Sequence, residues 1–145
     1  MSSSGRKSIL VVDDEDLVRE SLVRILRLEG YDALSAENAE RARGLLATQS
    51  VDLVTLDVGM PGEGGISLLR HISEAYPHLP VIILTGRFEA TIEFEAYSGG
   101  AVQFLLKPVK SAELVASIRD CLAVSVREGD EPGRILDQIL EGLES

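Results

Sequence analysis

Four short apolar runs constrain this chain most: Ile9-Leu-Val-Val12, Leu53-Val-Thr-Leu56, Val81-Ile-Ile-Leu84 and Val102-Gln-Phe-Leu-Leu106. Each has strand length and is rich in strand-forming residues. A strand with one wet face alternates apolar and polar residues. A near-continuous apolar run predicts burial on both faces, as in a parallel sheet covered by helices. Tyr31 to Ala36 is a fifth, more polar run and is expected at a sheet edge.

Helical patterns lie between the runs. Val18, Leu22, Ile25 and Leu26 form one apolar stripe, ended by Gly30 as a C-terminal cap. Ala39, Ala42, Leu45 and Leu46 form a second, with Asn38 placed to cap its start. Ile66, Leu68, Leu69 and Ile72 form a third, and a weaker fourth runs from about Glu89 to Tyr97, ended by Gly99-Gly100. Leu114, Val115, Ile118 and Leu122 form a fifth, with Ser111 near its start. Strands alternating with helices across short connections predict an α/β, doubly wound, five-stranded parallel sheet. In that architecture ligands bind beyond the carboxyl ends of the strands.

Composition narrows the function. The chain has 145 residues, enough for one ordinary domain with a core of its own. It lacks Trp, so Leu, Ile, Val and Ala must fill that core. A net charge of −10 argues against broad nucleic-acid binding. A single Cys121 rules out an intrachain disulfide and is expected as a small buried hydrophobe. No apolar run approaches membrane-spanning length and no secretory signal is visible, so a cytoplasmic location is expected. His71 and His78 have no ligand spacing to another His or Cys and are expected at the surface.

The chemistry-bearing residues fall at matching positions. Asp13 and Asp14 follow the first strand, Asp57 the third, Thr85 the fourth, and Lys107 the fifth. A parallel sheet brings all of them to one edge. Three carboxylates held together repel, and a divalent cation relieves that repulsion. Hard oxygen donors favour Mg²⁺, with Mn²⁺ as the substitute, over zinc. A carboxylate there can attack a phosphoryl group, with Lys107 and Thr85 stabilising its oxygens. Taken singly, each residue also has a plain structural reading. Asp13 or Asp14 can cap the first helix, Asp57 can begin a turn before Met60-Pro61, Thr85 can be a turn or capping residue, and Lys107 can be a solvated charge. Four such coincidences at four strand ends are harder to accept than one shared site.

These elements resemble the receiver domain of bacterial two-component response regulators. The resemblance rests on Ile9-Leu-Val-Val-Asp-Asp-Glu15, on Asp57-Val-Gly-Met-Pro61 with Gly65 eight residues after Asp57, on Thr85-Gly86, and on Phe104-Leu-Leu-Lys-Pro108. It covers about residues 7–124 and implies a flavodoxin-like sheet of strand order 2-1-3-4-5. It also implies that Asp57 is the phosphoacceptor, charged by a histidine kinase or phosphotransfer protein. Mg²⁺ would be held by Asp14, Asp57 and the Gly59 carbonyl directly, and by Asp13 through water. Thr85 and Lys107 would bind the phosphoryl group, the Lys107–Pro108 peptide would be cis, and Phe104 would be the aromatic switch residue. Phe104 reads equally as a core aromatic. The surface of the fourth helix, fifth strand and fifth helix would then bind a downstream effector or output domain.

The resemblance implies a signalling acceptor rather than a turnover enzyme, limited to self-phosphorylation and autodephosphorylation. Gly59 and Arg87 depart from the commoner family pattern at positions that govern water access, which leaves the aspartyl-phosphate lifetime open. A related Mg²⁺-dependent phosphohydrolase would need a second Asp where Gly59 stands. A purely structural module would not need the acidic pair with Asp57, Thr85 and Lys107. Residues 1–6 are expected as a flexible leader and 125–145 as an extension or linker with a helix at about 133–143. Its apolar stripe of Ile135, Leu136, Ile139, Leu140 and Leu143 can cap the domain, lead into a linker, or form a homodimer seam. The chain is read as a stand-alone receiver or one excised from a longer protein.

Overall fold

The computed structural model describes residues 5–59, 64–86 and 103–123. In chain order these form β1 (Ser8–Val12), α1 (Asp16–Leu28), β2 (Asp32–Ala36), α2 (Ala39–Thr48), β3 (Leu53–Leu56), α3 (Gly65–Ala75), β4 (Val81–Thr85), β5 (Gln103–Leu106) and α4 (Ser111–Ala123). Here α4 is the fifth helical pattern of the sequence. The pattern from Glu89 to Tyr97, Arg87, and the segment about 133–143 lie outside the described residues.

All four strand pairings are parallel, in the order β2-β1-β3-β4-β5. The continuous apolarity of the inner strands has a direct cause: each strand feeds two cores. Ile9, Val11, Leu53, Ile82 and Leu84 pack with Leu22 and Leu26 of α1 and with Leu114, Ile118 and Cys121 of α4. Leu10, Val12, Val54, Leu56, Val81 and Ile83 pack with Ala42 and Leu46 of α2 and Leu68, Leu69 and Ile72 of α3 on the opposite face. Successive strand residues alternate between faces, so both faces must be apolar. β2 lies at an edge, as its polarity predicts, with Ala33 and Ala36 buried, Asp32 and Leu34 half-buried and Ser35 exposed. β5 is less buried than its apolar run predicts, and Leu106 is 43% exposed. Among the described residues β5 closes the other edge and pairs with β4 alone.

The helix ends follow the expected chemistry. Asn38 Oδ1 accepts the Arg41 N–H at 2.7 Å, capping α2. Gly30, at φ +94°, lets α1 end with N–H bonds from Gly30 to the Arg27 carbonyl and from Tyr31 to the Leu26 carbonyl. A residue with a side chain resists that left-handed turn. His78 is exposed and His71 half-buried, edge-on to Tyr76. Among the described residues no helix is long and apolar enough to cross a membrane.

Two buried polar groups yield predictions. Thr55 Oγ1 is the one buried side-chain polar atom without a hydrogen-bond partner among the described residues. Replacing that hydroxyl by a methyl removes an uncompensated desolvation cost, so T55V should stabilise the fold by about 1 kcal/mol in urea unfolding. A lower midpoint would refute this. Cys121 is buried, and burial, with a smaller contribution from the Asp120 charge, pushes its thiol up to about 12. Native protein at pH 8 should resist a thiol reagent that labels the urea-unfolded chain at once. The folded value lies above the unfolded one, so this contribution is intact below about pH 9. It declines as pH rises further, because the unfolded state ionises first.

Candidate phosphoacceptor and metal site

The sheet ladder itself positions the acidic residues. The Asp13 N–H donates to the Ala36 carbonyl at 3.1 Å, and the Asp57 N–H to the Val12 carbonyl at 3.0 Å. Both residues thus continue the strand hydrogen bonding one step past the assigned ends of β1 and β3. Their carboxylates then fold into matching local turns. Asp13 Oδ1 accepts the Glu15 N–H at 2.9 Å, and Asp57 Oδ1 accepts the Gly59 N–H at 2.8 Å. Each carboxylate turns its other oxygen to Lys107. Nζ lies 2.7 Å from Asp13 Oδ2 and 3.3 Å from Asp57 Oδ2. The plain reading of Asp57 as a turn residue therefore holds, whereas Asp13 closes a turn of its own rather than capping α1, whose N-cap position is Glu15 with no side-chain cap bond.

Asp13 and Asp57 are buried while Asp14 is exposed. Their carboxylates offer one oxygen each within 4.8 Å of the others. Three hard, anionic oxygen donors at that separation fit a divalent cation of the Mg²⁺ or Mn²⁺ type. Gly59 adds a backbone in the same turn. Thr85 is the last residue of β4, in register with Leu106. Lys107 follows β5, and the Lys107–Pro108 peptide is cis. Phe104 is half-buried against the α2/α3 core, consistent with its reading as a core aromatic.

Two participants carry no role in the sequence reading. Glu15 Oε1 lies 3.6 Å from Lys107 Nζ, making a third, more exposed carboxylate around that ammonium. Arg19 donates to the Asp13 carbonyl at 2.9 Å while pairing with Asp16 at 2.6 Å, so α1 braces the acidic turn. Glu15 stands at the N-cap of α1 and Arg19 in its first turn, and nothing in their spacing marks these contacts.

Electrostatics set the two key groups apart. Burial is the largest influence on Asp57 and raises its pKa. The Gly59 N–H and the Lys107 charge oppose that rise, the Asp13 charge adds to it, and the net shift is upward. Lys107 is also raised. Burial works against its charge, but the hydrogen bond to Asp13 and the charges of Asp57 and Asp13 outweigh it. Lys107 is thus a firmly held cation and Asp57 a costly anion.

Opposite outcomes follow for two substitutions. The folded-state pKa of Asp57 lies above its unfolded one, so its contribution to stability is intact below about pH 3.8. It is lost as pH rises through the folded value. Without metal, D57N should therefore gain on wild type as pH rises out of the acid range. K107M should lose about 2 kcal/mol, because two buried carboxylates lose their shared donor. Urea unfolding across pH measures both, and a D57N protein less stable than wild type at neutral pH would contradict the sign.

Residues 9–119 match the family model of the response regulator receiver domain. The phosphate regulon transcriptional regulatory protein PhoB of Pseudomonas aeruginosa is 36% identical over 118 residues, covering 80% of this chain and 52% of that protein. The chain spans about half the length, or less, of the curated relatives it resembles. A CheY-like response regulator receiver domain protein from Methanospirillum hungatei superposes with a TM-score of 0.80 at 27% identity, over 82% of this chain and 95% of that one. The response regulator TrrA from Thermotoga maritima, in complex with Mg²⁺-BeF, gives a TM-score of 0.72 at 33% identity, over 78% of this chain and 96% of that one. Sequence, sheet order and acidic edge converge: the chain belongs to the response regulator receiver domain family of two-component systems.

Proposed function

We propose that this chain is a phosphorylation-dependent switch in which Asp57 accepts a phosphoryl group from the phosphohistidine of a histidine kinase or phosphotransfer protein. The observation that carries the reading is the buried Asp57 carboxylate, held by Gly59 and Lys107 beside Asp13 and Asp14. In the transfer, an Asp57 oxygen bonds to phosphorus as the bond from phosphorus to the donor imidazole nitrogen breaks. The electron pair of that bond returns to the imidazole. Asp13, Asp14, Asp57 and the Gly59 carbonyl would hold Mg²⁺, with Mn²⁺ as a substitute. When bound, the ion screens the carboxylates and neutralises charge on the phosphoryl oxygens.

Lys107 lies nearer Asp13 than Asp57, so its ammonium can turn to a new anion on Asp57 without leaving its anchor. Thr85 would bind a phosphoryl oxygen, and Phe104 would follow it inward. The surface built by the fourth helical pattern, β5 and α4 would then present a changed face to an effector or output domain. The receiver would span residues 7–124, with 1–6 as a leader and 125–145 as an extension or linker. It would work in the cytoplasm without binding DNA through this chain, as a signalling acceptor rather than a turnover enzyme.

The test is incubation with Mg²⁺ and acetyl phosphate, read by intact mass. Wild type should gain one phosphoryl group, lost on hydroxylamine treatment, while D57A gains none. Equal labelling of wild type and D57A would sink the proposal. Beryllofluoride with Mg²⁺ should likewise shift the amide resonances of Thr85 and Phe104 in wild type only.

A further inference from the structure

Gly65 opens α3, eight residues beyond Asp57, and is buried. A Cβ placed there would overlap Val58 Cα, lie 2.6 Å from the Asp57 carbonyl oxygen, and lie 3.1 Å from the carbonyl carbon. All three atoms belong to the backbone, so none can swing aside as a flexible side chain would. The first turn of α3 therefore rests directly on the peptide joining Asp57 to Val58. Gly64, at φ +83°, turns the chain into that approach. The demand is local, since a Cβ at Gly44 or Gly86 would meet nothing within 4 Å.

The peptide under Gly65 begins the turn that returns to the acceptor carboxylate. One residue further, the Gly59 N–H reaches Asp57 Oδ1 at 2.8 Å. On its other side the Asp57 backbone is tied to Val12. The strand ladder thus fixes where Asp57 starts, and the seat of α3 fixes where its turn closes. A methyl at position 65 cannot enter without lifting α3 or displacing Val58. Displacing Val58 would move the Gly59 donor away from Asp57 Oδ1 and shift the Gly59 carbonyl with it.

We propose that Gly65 is a positioning residue: its missing side chain seats α3 on the Asp57–Val58 peptide, and that seat sets divalent-cation affinity and phosphoryl acceptance at Asp57. The inference rests on the reading of Asp57 as phosphoacceptor and metal ligand. It assigns Gly65 no contact with cation or phosphoryl group. A residue serving only to pack α3 would affect stability alone, which separates the two roles.

The experiment compares wild type, G65A and the control G44A, each also in the T55V background to widen the stability margin. Calorimetry with Mg²⁺ alone gives the cation affinity, and nitrogen–proton correlation spectra report the Gly59 amide. Acetyl phosphate at saturating Mg²⁺ gives the acceptance rate. G65A should bind Mg²⁺ at least about tenfold more weakly, as expected when a supporting contact of a metal ligand is lost. Its Gly59 amide should shift without metal, and acceptance should slow even at saturating Mg²⁺. G44A should match wild type in all three. A G65A protein with a lower Tm but unchanged Mg²⁺ affinity and Gly59 amide would overturn the proposal. So would failure of G65A to fold in the T55V background, since the glycine would then serve the fold itself. If wild type neither binds Mg²⁺ nor gains a phosphoryl group, the functional reading fails first and the inference falls with it.

Discussion

One ammonium group organises the acidic edge of this molecule. Lys107 Nζ reaches Asp13 at 2.7 Å, Asp57 at 3.3 Å and Glu15 at 3.6 Å, and its side chain is only 16% exposed. Without it, two buried carboxylates would face each other with no countercharge, an arrangement proteins tolerate poorly. The pair of aspartates comes from neighbouring strands and the lysine from the sheet edge three strands away from β1. The strand order must therefore be right before the charges can compensate. The acidic site and the topology enforce each other: the sheet gathers the charges, and the charges reward that gathering.

The fold was legible because burial on two faces leaves a plain trace. Ile9 to Val12 and Val81 to Leu84 alternate between separate cores, and the absence of polar residues in them reports that alternation. Asn38 and Gly30 were legible for a different reason, since each does a job that its own chemistry permits at a helix end. The meeting of Asp13, Asp57 and Lys107 was legible because they recur at strand ends, a regularity that survives wide sequence separation. Glu15 and Arg19 were not legible. Their roles depend on where α1 leans relative to β5, which no local spacing encodes. The half-exposure of β5 was hidden for a similar reason, because an edge is a property of the whole sheet rather than of one run.

The turn at Asp57 shows how little chain is needed to hold a buried carboxylate. A strand hydrogen bond holds its backbone, a turn hydrogen bond holds one oxygen, and a lysine holds the other. Only the lysine brings a long side chain to this arrangement. Gly59 and Gly65 work by having none, one donating from the backbone and the other admitting a helix against it. Such construction keeps the carboxylate preorganised.

The position of β5 has a mechanical consequence. Within four residues the chain presents Phe104 to the α2/α3 core and Lys107 to a groove on the α1 side, beside Val18, Leu22 and Leu84. Among the described residues, the strand between them is hydrogen-bonded to β4 alone. It resembles a plank fastened along one margin, with a load on each side. Rotation about that margin strains a single ladder, and it raises one side chain as it lowers the other. Among the described residues the two cores share no helix, yet this one strand serves both, Phe104 packing on one and Leu105 on the other.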